Sequence, residues 1–495
     1  MRRRDFIKGA IALSGVGALA LYARGMMGGM GMMGMGQGGM MGGGMGMMGG
    51  VDLKNYKAIN KLYIPPEIKG VKKGNTRDYN LNIKSSYTQF FKGVKTLTWG
   101  INGSYLGPTI RLNVGESVSL NWHNGLKYPT TMHGHGMHLP AKMDGGVHQI
   151  IAPNSTWSAK YVVNQKACTN WYHPHIMGAT AEHVLMGLAG FIIIDDKESK
   201  SLPLPKRYGI DDIPLVLQDR VFSRTGQFLY SKAMPTIMHG FKGDTLLVNG
   251  TIAPYFNAEN GWIRFRVLNG SNARFYNLIV KEGLDMHIIA SDNSFLEEPI
   301  AVDSVLVSPA ERVEIMLDLK DYKGENIHLV DSNSGANILE IRVNKKSNSN
   351  AILPNRLTKL KPLNINRAVR KREFKLSIGG PGRLVINGRT MDKNRIDFAI
   401  KKDEYEIWEV TNSGMMQMDH NFHMHGNHFR VISRNGNRPK AWERGYKDTV
   451  YIGPNDKVKL LVKHTDYSDS KNPFMYHCHI LEHEDAGMMG QFVVV

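Results

Sequence analysis

Short runs in which apolar and polar side chains alternate recur from Tyr79 to the end of the chain. Three of them are residues 117–122, 263–268 and 457–462, and each is bounded by Gly, Asn or Pro. Alternation with a period of two places apolar side chains on one face of a β-strand and polar side chains on the other. Because such runs continue over roughly 400 residues, they predict all-β sandwiches or barrels rather than α/β units.

Two polar segments divide these predicted strands into three regions. Residues 197–207 follow an apolar strand and contain Pro, and residues 344–372 are rich in Lys, Ser, Asn and Arg. Two or three domains are expected for a chain of 495 residues. We therefore predict domains over residues 51–197, 198–357 and 358–495.

The first residues resemble an export signal. Residues 1–25 carry a basic start and an apolar stretch from Ile7 to Tyr22 that is too short to span a bilayer stably. Arg3-Arg4-Asp5-Phe6-Ile7-Lys8 is similar to the motif that the twin-arginine translocase reads, and Ala18-Leu19-Ala20 is a candidate cleavage site. We predict export to the periplasm by that translocase and no stable membrane span in the mature chain. An uncleaved anchor and an ordinary N-terminal core helix are the alternatives.

The composition contains two further anomalies, in methionine and in charge. Eleven of the 29 methionines lie in residues 26–50, where they alternate irregularly with glycine, and we do not expect this segment to fold alone. The formal net charge is +18, and loss of residues 1–20, with four cations and one acid, lowers it to +15. The basic residues are scattered without a basic helix, so no nucleic-acid partner is expected. Two interpretations of this charge stay open: it attracts the protein to an anionic envelope surface, or it has no function.

Ten of the 19 histidines fall in four short clusters. Two histidines separated by one residue in a strand project from the same face, so each such pair offers two neighbouring imidazoles. One pair is weak evidence, but four pairs divided evenly between the predicted first and third domains predict a polynuclear metal site. The pairs are His133/His135, His173/His175, His423/His425 and His477/His479.

Soft ligands surround the last of these pairs. Cys478 separates its two histidines, and His483 and Met488 follow. Together with His420 they supply two imidazoles, a thiolate and a weak axial thioether, which is the ligand set of a blue-copper site. With only two cysteines in the chain, a disulfide scaffold is excluded, and Cys478 would be deprotonated by the metal. A short through-bond route then joins a copper that accepts single electrons to a cluster able to reduce O2.

The four clusters resemble the copper-binding signatures of the multicopper oxidases in order and composition. The likeness covers roughly Tyr79 to Val495 and includes Trp171-Tyr172-His173-Pro174-His175 and, in the middle region, Ser308-Pro309-Ala310-Glu311-Arg312. The run HCHILEHEDAGMM, which begins at His477, is most similar to the bacterial branch that contains periplasmic cuprous oxidases and laccases. The resemblance implies three cupredoxin-like Greek-key β-barrels, four copper ions and O2 as the oxidant.

The resemblance also implies which residue binds which copper. Type 1 copper would be bound by His420, Cys478, His483 and Met488, and type 2 copper by His133 and His423. One type 3 copper would be bound by His135, His173 and His479, and the other by His175, His425 and His477. The cluster would lie between the first and third domains, and the middle domain would be a copper-free spacer.

Acidic residues are expected near such a cluster, because reduction of O2 to water consumes four protons. Related enzymes keep acids at the positions of Asp144 and Glu484, which we predict to be proton donors, with a turn or salt-bridge role as the alternative. Glu482 and Asp485 are ambiguous and are not assigned. Cys168 has no partner once the other cysteine binds copper, and we expect it to be a buried small residue.

Methionines are candidate ligands for a copper substrate, since thioether sulfur favours Cu(I). Met415, Met416 and Met418 directly precede His420 and are candidate Cu(I) docking residues, with core packing as the alternative. Related cuprous oxidases have an aspartate where this chain has Met416. Whether this chain has a Cu(I) site of the same composition is therefore left open. Residues 26–50 either gather Cu(I) or are only a linker.

We therefore predict a periplasmic multicopper oxidase that couples four one-electron oxidations to the reduction of O2 to two waters, with Cu(I) as the preferred substrate. Fe(II) oxidation and laccase activity on phenols or other small organic reductants are the alternatives within the family. A non-catalytic scaffold on the same fold, or a copper-sequestering protein that works through residues 26–50, are alternatives of a different class.

Overall fold

The structure is a computed structural model, and it describes residues 52–412 and 418–495. The predicted export signal, the methionine-glycine segment, Met415 and Met416 lie outside the described residues. Within the described ranges, no helix is long and apolar enough to cross a membrane.

Two sheets are built from the first part of the chain. Their order is β2-β6-β11-β10-β8 and β3-β4-β7-β9, with β5 paired to β4, whereas β1 joins a sheet of the middle part. The elements are β1 (Asn60–Lys61), β2 (Glu67–Ile68), β3 (Val71–Lys73), β4 (Thr76–Thr88), β5 (Thr96–Ile101), β6 (Thr109–Asn113), β7 (Ser117–Asn124), β8 (His133–His135), β9 (Thr156–Val162), β10 (Cys168–His173), α1 (Thr180–Leu185), β11 (Gly190–Asp195) and α2 (Lys197–Ser201).

The middle part forms a second pair of sheets. Their order is β14-β13-β12-β16-β21-β18-β19 and β1-β15-β23-β22-β17-β20. The elements are β12 (Asp212–Arg220), α3 (Met234–His239), β13 (Thr245–Val248), β14 (Thr251–Ile252), β15 (Pro254–Asn260), β16 (Trp262–Asn269), β17 (Tyr276–Val280), β18 (Met286–Ser291), β19 (Ser294–Val302), β20 (Ser304–Val307), β21 (Arg312–Asp318), β22 (Asn326–Asp331) and β23 (Ala336–Lys346).

The last part forms a third pair of sheets, in the order β25-β24-β27-β32-β29-β30 and β26-β34-β33-β28-β31. Short 3-10 helices lie at Ala141–Met143, Ile365–Arg367 and Ala441–Glu443. The elements of the third pair are β24 (Ala368–Ile378), β25 (Leu384–Ile386), β26 (Phe398–Ile400), β27 (Tyr405–Asn412), β28 (His420–Met424), β29 (Phe429–Arg434), β30 (Tyr446–Lys447), β31 (Thr449–Ile452), β32 (Lys457–Lys463), β33 (Asp469–His477), α4 (Leu481–Asp485) and β34 (Met489–Val494).

A large cluster of buried apolar side chains lies within each pair of sheets. In β4, for example, buried Tyr79, Leu81 and Ile83 alternate with exposed residues, which is the period of two that the sequence carries. The predicted all-β class is confirmed.

Strand pairing brings the histidine clusters together two by two. In the first pair of sheets, β10 lies antiparallel to β8 and His173 is opposite His133. In the third, β33 lies antiparallel to β28 and His477 is opposite His423. The histidine clusters of each half of the candidate site therefore lie on, or directly after, neighbouring strands of one sheet.

Candidate metal centre

Eight histidines from the first and third pairs of sheets converge in the interior, and each is at most 1% exposed. Stacked rings join the two halves. The ring of His133 lies 4.0 Å from that of His425, and the ring of His135 lies 3.8 Å from that of His423, measured between centroids. The four pairs singled out in the sequence thus form one cluster.

One group of donor atoms comes from His175, His425 and His477. Nε2 of His477 lies 3.1 Å from Nε2 of each of the other two rings. Nδ1 of His477 is 3.0 Å from the carbonyl oxygen of Cys478. Because a carbonyl oxygen only accepts, Nδ1 carries the proton and Nε2 keeps a lone pair that points into the group. Nitrogens that converge in this way suit a metal ion.

A second group of three comes from His135, His173 and His479. Nε2 of His173 lies 3.3 Å from Nδ1 of His135 and 3.4 Å from Nε2 of His479. Nδ1 of His173 is 2.7 Å from the carbonyl oxygen of Pro174, so its proton is also held on the outer side of the ring. The lone pair of His173 again faces its neighbours.

The remaining rings, His133 and His423, each leave one nitrogen without a partner. Nδ1 of His133 donates to the carbonyl oxygen of Asp144 at 2.8 Å, and Nδ1 of His423 donates to that of Asp448 at 2.9 Å. Both Nε2 atoms are buried and have no hydrogen-bond partner among the described residues. A buried nitrogen without a partner is costly, and binding a metal would satisfy it.

Burial keeps these rings in the form that binds metals. It lowers the pKa of His175 to about 3 and the pKa of His173 and His477 well below the usual range, and repulsion between neighbouring rings adds to this effect. These three rings are therefore neutral at neutral pH, with a lone pair free for coordination.

A separate sulfur-containing group lies in the third pair of sheets. Sγ of Cys478 is 3.5 Å from Nδ1 of His420 and 3.6 Å from Nδ1 of His483. Nε2 of His483 donates to the carbonyl oxygen of Met238 at 3.1 Å, which leaves the Nδ1 lone pair facing the sulfur. Met488 is fully buried in the same apolar cluster. Burial raises the pKa of the Cys478 thiol to about 12, so a bound cation is needed to hold the thiolate.

Both acids predicted to donate protons lie against the imidazole cluster. Oδ2 of Asp144 is 2.7 Å from Nδ1 of His425, and its Oδ1 is 3.5 Å from Nδ1 of His133. The two carboxyl oxygens of Glu484 lie 3.4 Å and 3.3 Å from Nδ1 atoms of two other rings. Burial raises the pKa of both carboxyl groups well above their usual range, so each is suited to hold a proton beside the cluster.

Asp448 is a site residue that sequence analysis missed. Its Oδ1 lies 2.9 Å from Nε2 of His135. Thr449 donates to the same oxygen at 2.8 Å and lies 3.1 Å from Nδ1 of His423. Arg312 binds both carboxylate oxygens, and although burial alone would raise the pKa of Asp448, the guanidinium holds it well below its usual range.

No local sequence signal marks Asp448, since it is a single acid just before β31. Arg312 lies in a run that resembles the family, but the resemblance assigned it no role. Its guanidinium extends from β21, in the middle pair of sheets, to a carboxylate that touches a histidine of the cluster. The part of the chain predicted to be a spacer therefore contributes a side chain that orients the site.

The other residues named from the sequence have ordinary surroundings. Met418 is half-buried against the apolar cluster that contains Cys478. Cys168 is buried. Glu482 accepts hydrogen bonds from a side chain and a backbone amide of the middle region. Asp485 accepts from two backbone amides at the start of α1.

The donor types fit copper. A thiolate with two imidazoles and a nearby thioether suits a blue-copper ion, and neutral imidazoles suit copper in either oxidation state. The Nε2 atoms of His133 and His423, which are buried without a hydrogen-bond partner among the described residues, point to the same interpretation, since most buried polar atoms in proteins are hydrogen-bonded.

Comparison with known proteins agrees with this chemistry. Three consecutive regions match family profiles described as multicopper oxidase: residues 70–199, 203–351 and 354–495. The multicopper oxidase mco of Staphylococcus haemolyticus is 39% identical over 433 residues, which is 87% of this chain and 91% of that protein. The cell division protein FtsP of Xenorhabdus nematophila is 37% identical over 416 residues, 81% of this chain and 85% of that protein.

Solved structures show the same fold. A multicopper oxidase from Pediococcus acidilactici superposes with a TM-score of 0.83 at 34% identity, covering 90% of this chain and 93% of that one. A multicopper oxidase from Campylobacter jejuni, described as a metallo-oxidase, superposes with a TM-score of 0.78 at 28% identity, covering 90% and 98%. Such structures have three cupredoxin-like domains, and the predicted fold is confirmed.

Proposed function

The chain belongs to the multicopper oxidase family, and on that premise we propose that it is a periplasmic cuprous oxidase that passes electrons from Cu(I) to O2. We propose four resident copper ions, one type 1, one type 2 and two type 3, with the ligands that the sequence motifs imply. One observation carries the proposal. Cys478 completes the sulfur-containing group and is joined through the backbone to His477 and His479, whose rings belong to the two imidazole groups of three.

When bound, copper supplies one-electron transfer at the sulfur-containing group and four-electron reduction of O2 to water at the imidazole cluster. The chain itself holds the donors and excludes water. Carbonyl oxygens fix the Nδ1 atoms of His133 and His423, and the carboxyl group of Asp144 fixes that of His425, so that these rings are oriented before any ion binds. Burial of every ring keeps bulk water away from the cluster.

Protons are held by two acids in this proposal. Asp144 lies against His425 and His133, on one side of the cluster, and Glu484 lies against His175 and His477. Because burial favours the neutral form of both carboxyl groups, each can carry a proton to the cluster at neutral pH. We assign both as proton donors.

Support for Cu(I) as the substrate comes from the surroundings of the sulfur-containing group. The Nε2 edge of His483 is bonded to the carbonyl oxygen of Met238, and the ring is 1% exposed, so a bulky phenol has no direct access to it. Met418 lies beside the same cluster and offers a thioether that suits Cu(I). The Campylobacter relative described as a metallo-oxidase favours a metal substrate as well.

The test is a comparison of kcat/KM for Cu(I), Fe(II) and a phenol on the copper-loaded chain. We expect the highest value for Cu(I). A higher value for the phenol would assign a laccase, and a higher value for Fe(II) a ferroxidase. The matched control is Cys478→Ser, which should lose the blue colour and turnover of all three donors together.

The N-terminal methionines can be tested on the same assay. Deleting residues 26–50 is expected to raise KM for Cu(I) and to spare the phenol, if the segment gathers the ion. A variant of the same length with its eleven methionines replaced by leucine separates the sulfur from the linker. Equal Cu(I) kinetics in all three proteins would make the segment a linker only.

A non-catalytic scaffold is the second candidate, because proteins named FtsP are among the relatives. A scaffold does not need converging donor atoms, and the full ligand set argues against it. Reconstituted protein is expected to bind about four coppers and to be intensely blue, whereas a colourless protein without O2 consumption would favour the scaffold.

Arg3→Lys with Arg4→Lys should block export, and cell fractionation checks the periplasmic location.

A further inference from the structure

The stretch that runs from the end of β23 to the start of β24 is strongly basic. From Ile341 to Arg372 the chain has ten Lys and Arg residues and no Asp or Glu. This stretch contains part of the positive charge that the proposed oxidase chemistry leaves without a role.

The end of this stretch lies open to solvent and carries apolar side chains too. Residues 361–367 are all exposed. Leu363, Ile365 and Val369 are 38%, 40% and 63% exposed. These three side chains lie within seven residues of one another along the chain, and exposed apolar surface with a polar rim is typical of an interaction site. We call the following set the basic-apolar strip: Lys359, Lys361, Leu363, Ile365, Arg367, Val369 and Arg370.

Further cations share the face of this strip. The guanidinium of Arg367 lies 5.5 Å from the ring centroid of Tyr405, and the ammonium of Lys463 lies 5.2 Å from the same centroid. Arg430 donates to the carbonyl oxygen of Lys361 at 3.3 Å and lines the same groove as Lys361, Tyr405 and Lys463. The strip therefore continues into a groove that further cations line.

Acidic neighbours do not neutralise the strip. Glu373 is paired with Lys371 at 2.9 Å, and Asp403 lies 3.3 Å from Lys463. Within the part of the chain that the structure describes, the four cations of the strip form no ion pair with a carboxylate. Their charge is available to a partner.

We propose that the basic-apolar strip docks the folded protein on an anionic lipid bilayer. The four cations are attracted to negative headgroups, each strengthening binding about fivefold. The three aliphatic side chains leave water for the boundary between headgroups and acyl chains. A nucleic acid would be held by cations and stacked aromatic rings and would gain nothing from exposed aliphatic groups, so the mixture favours lipid. The proposal does not depend on which reductant the oxidase uses.

Sedimentation of the full copper-loaded chain with vesicles tests the proposal. We compare vesicles of phosphatidylglycerol and phosphatidylcholine in equal parts with vesicles of phosphatidylcholine alone. The chain should bind the anionic vesicles more tightly by roughly a hundredfold or more, and high salt should weaken this binding. Replacing Lys359, Lys361, Arg367 and Arg370 by Gln should weaken it about a hundredfold or more.

Two further variants separate the contributions. Replacing Leu363, Ile365 and Val369 by Ser should weaken the binding that remains at high salt. The matched control replaces four exposed lysines elsewhere by Gln and should bind within a few-fold of the unmodified chain: Lys127, Lys281, Lys320 and Lys323. All proteins keep the same N-terminus, so its apolar residues cannot cause a difference, and the blue colour and circular dichroism report folding.

Three results would overturn the proposal. The first is equal binding of the unmodified chain to neutral and anionic vesicles. The second is a strip variant without the four cations that binds as the unmodified chain does. The third is tighter binding to a single-stranded oligonucleotide than to anionic vesicles, lost in the same variant, which would make the strip a nucleic-acid surface.

Discussion

Asp448 lies where three parts of the chain meet. It precedes β31 in the third pair of sheets, touches His135 from the first, and is bound by Arg312 from the middle pair. A charge in this place does two things. It orients a ring of the imidazole cluster, and it neutralises the buried guanidinium of Arg312, whose other carboxylate partner, Asp292, is farther away at 3.8 Å.

The substitution Asp448→Asn removes both effects and leaves the sulfur-containing group unchanged. We expect copper affinity of the imidazole cluster to fall about 10–100-fold, because the outer partner of a ligand is lost. The blue absorption should persist, since Cys478 does not touch Asp448. Copper titration against a competing chelator, with absorption and EPR spectra, measures both.

Stability gives a second readout of the same substitution. Loss of the nearer carboxylate of Arg312 should cost about 3 kcal/mol in the free energy of unfolding of the copper-free chain, measured with urea, because only Asp292 then remains beside the guanidinium. The control is Asp466→Asn, which alters an aspartate that also bonds a histidine, His138, outside the cluster. Similar copper affinities for the two variants would contradict the positioning role of Asp448.

At the scale of elements, β16 shows how an alternating pattern can mislead. Apolar and polar residues alternate along this strand, yet both faces are buried, and Arg264 and Arg266 lie on the polar one. Arg266 binds Asp212 of β12 at 2.7 Å and donates to Thr169 of β10 at 2.7 Å. The polar face of this strand therefore packs against the first pair of sheets through charged and polar contacts.

The pH dependence of stability follows from this network. Burial alone would raise the pKa of Asp212, but Arg266 and Arg264 outweigh it and hold the pKa below the usual value. A carboxyl group whose pKa is depressed by folding stabilises the protein above its unfolded pKa, and this contribution is lost as pH falls through the folded pKa.

We therefore expect Asp212→Asn to lower the free energy of unfolding by about 3–5 kcal/mol at neutral pH. The difference from the unmodified chain should shrink as the pH falls below about 4. Urea unfolding of the copper-free proteins at several pH values measures it. Asp321→Asn, at an exposed position, serves as the control. A difference that grows on acidification would refute the assignment.

At the scale of the whole molecule, the imidazole cluster joins distant parts of the chain. Four of its histidines belong to the first pair of sheets and four to the third, while the sulfur-containing group lies in the third alone. Ions bound between two domains stabilise both, since binding to the native state adds to the free energy of unfolding.

Copper loading should therefore raise the thermal unfolding temperature of the protein. Binding at a thousandfold excess over Kd is worth about 4 kcal/mol for each site. Calorimetry of the loaded, chelator-treated and reloaded chain measures the shift. Cys478→Ser should lose only a minor part of it, because the cluster keeps its eight imidazoles. Equal unfolding temperatures with and without copper would contradict a cluster shared by two domains.

The sequence by itself determined the all-β class, and it identified the histidines that the structure gathers. Both follow from local geometry, because a period of two sets which side chains of one strand share a face. It also identified Cys478 and its neighbours, since their spacing is a covalent property of the chain.

Only the tertiary structure decided which pairs meet, and which other residues join them. His133 lies beside His425 because strands far apart in the chain pack together, and Asp448, Arg312 and the carbonyl oxygen of Met238 reach the site in the same way. The burial of Arg264 and Arg266 has the same origin. Such contacts join residues separated by tens to hundreds of positions, so no local pattern of polarity records them.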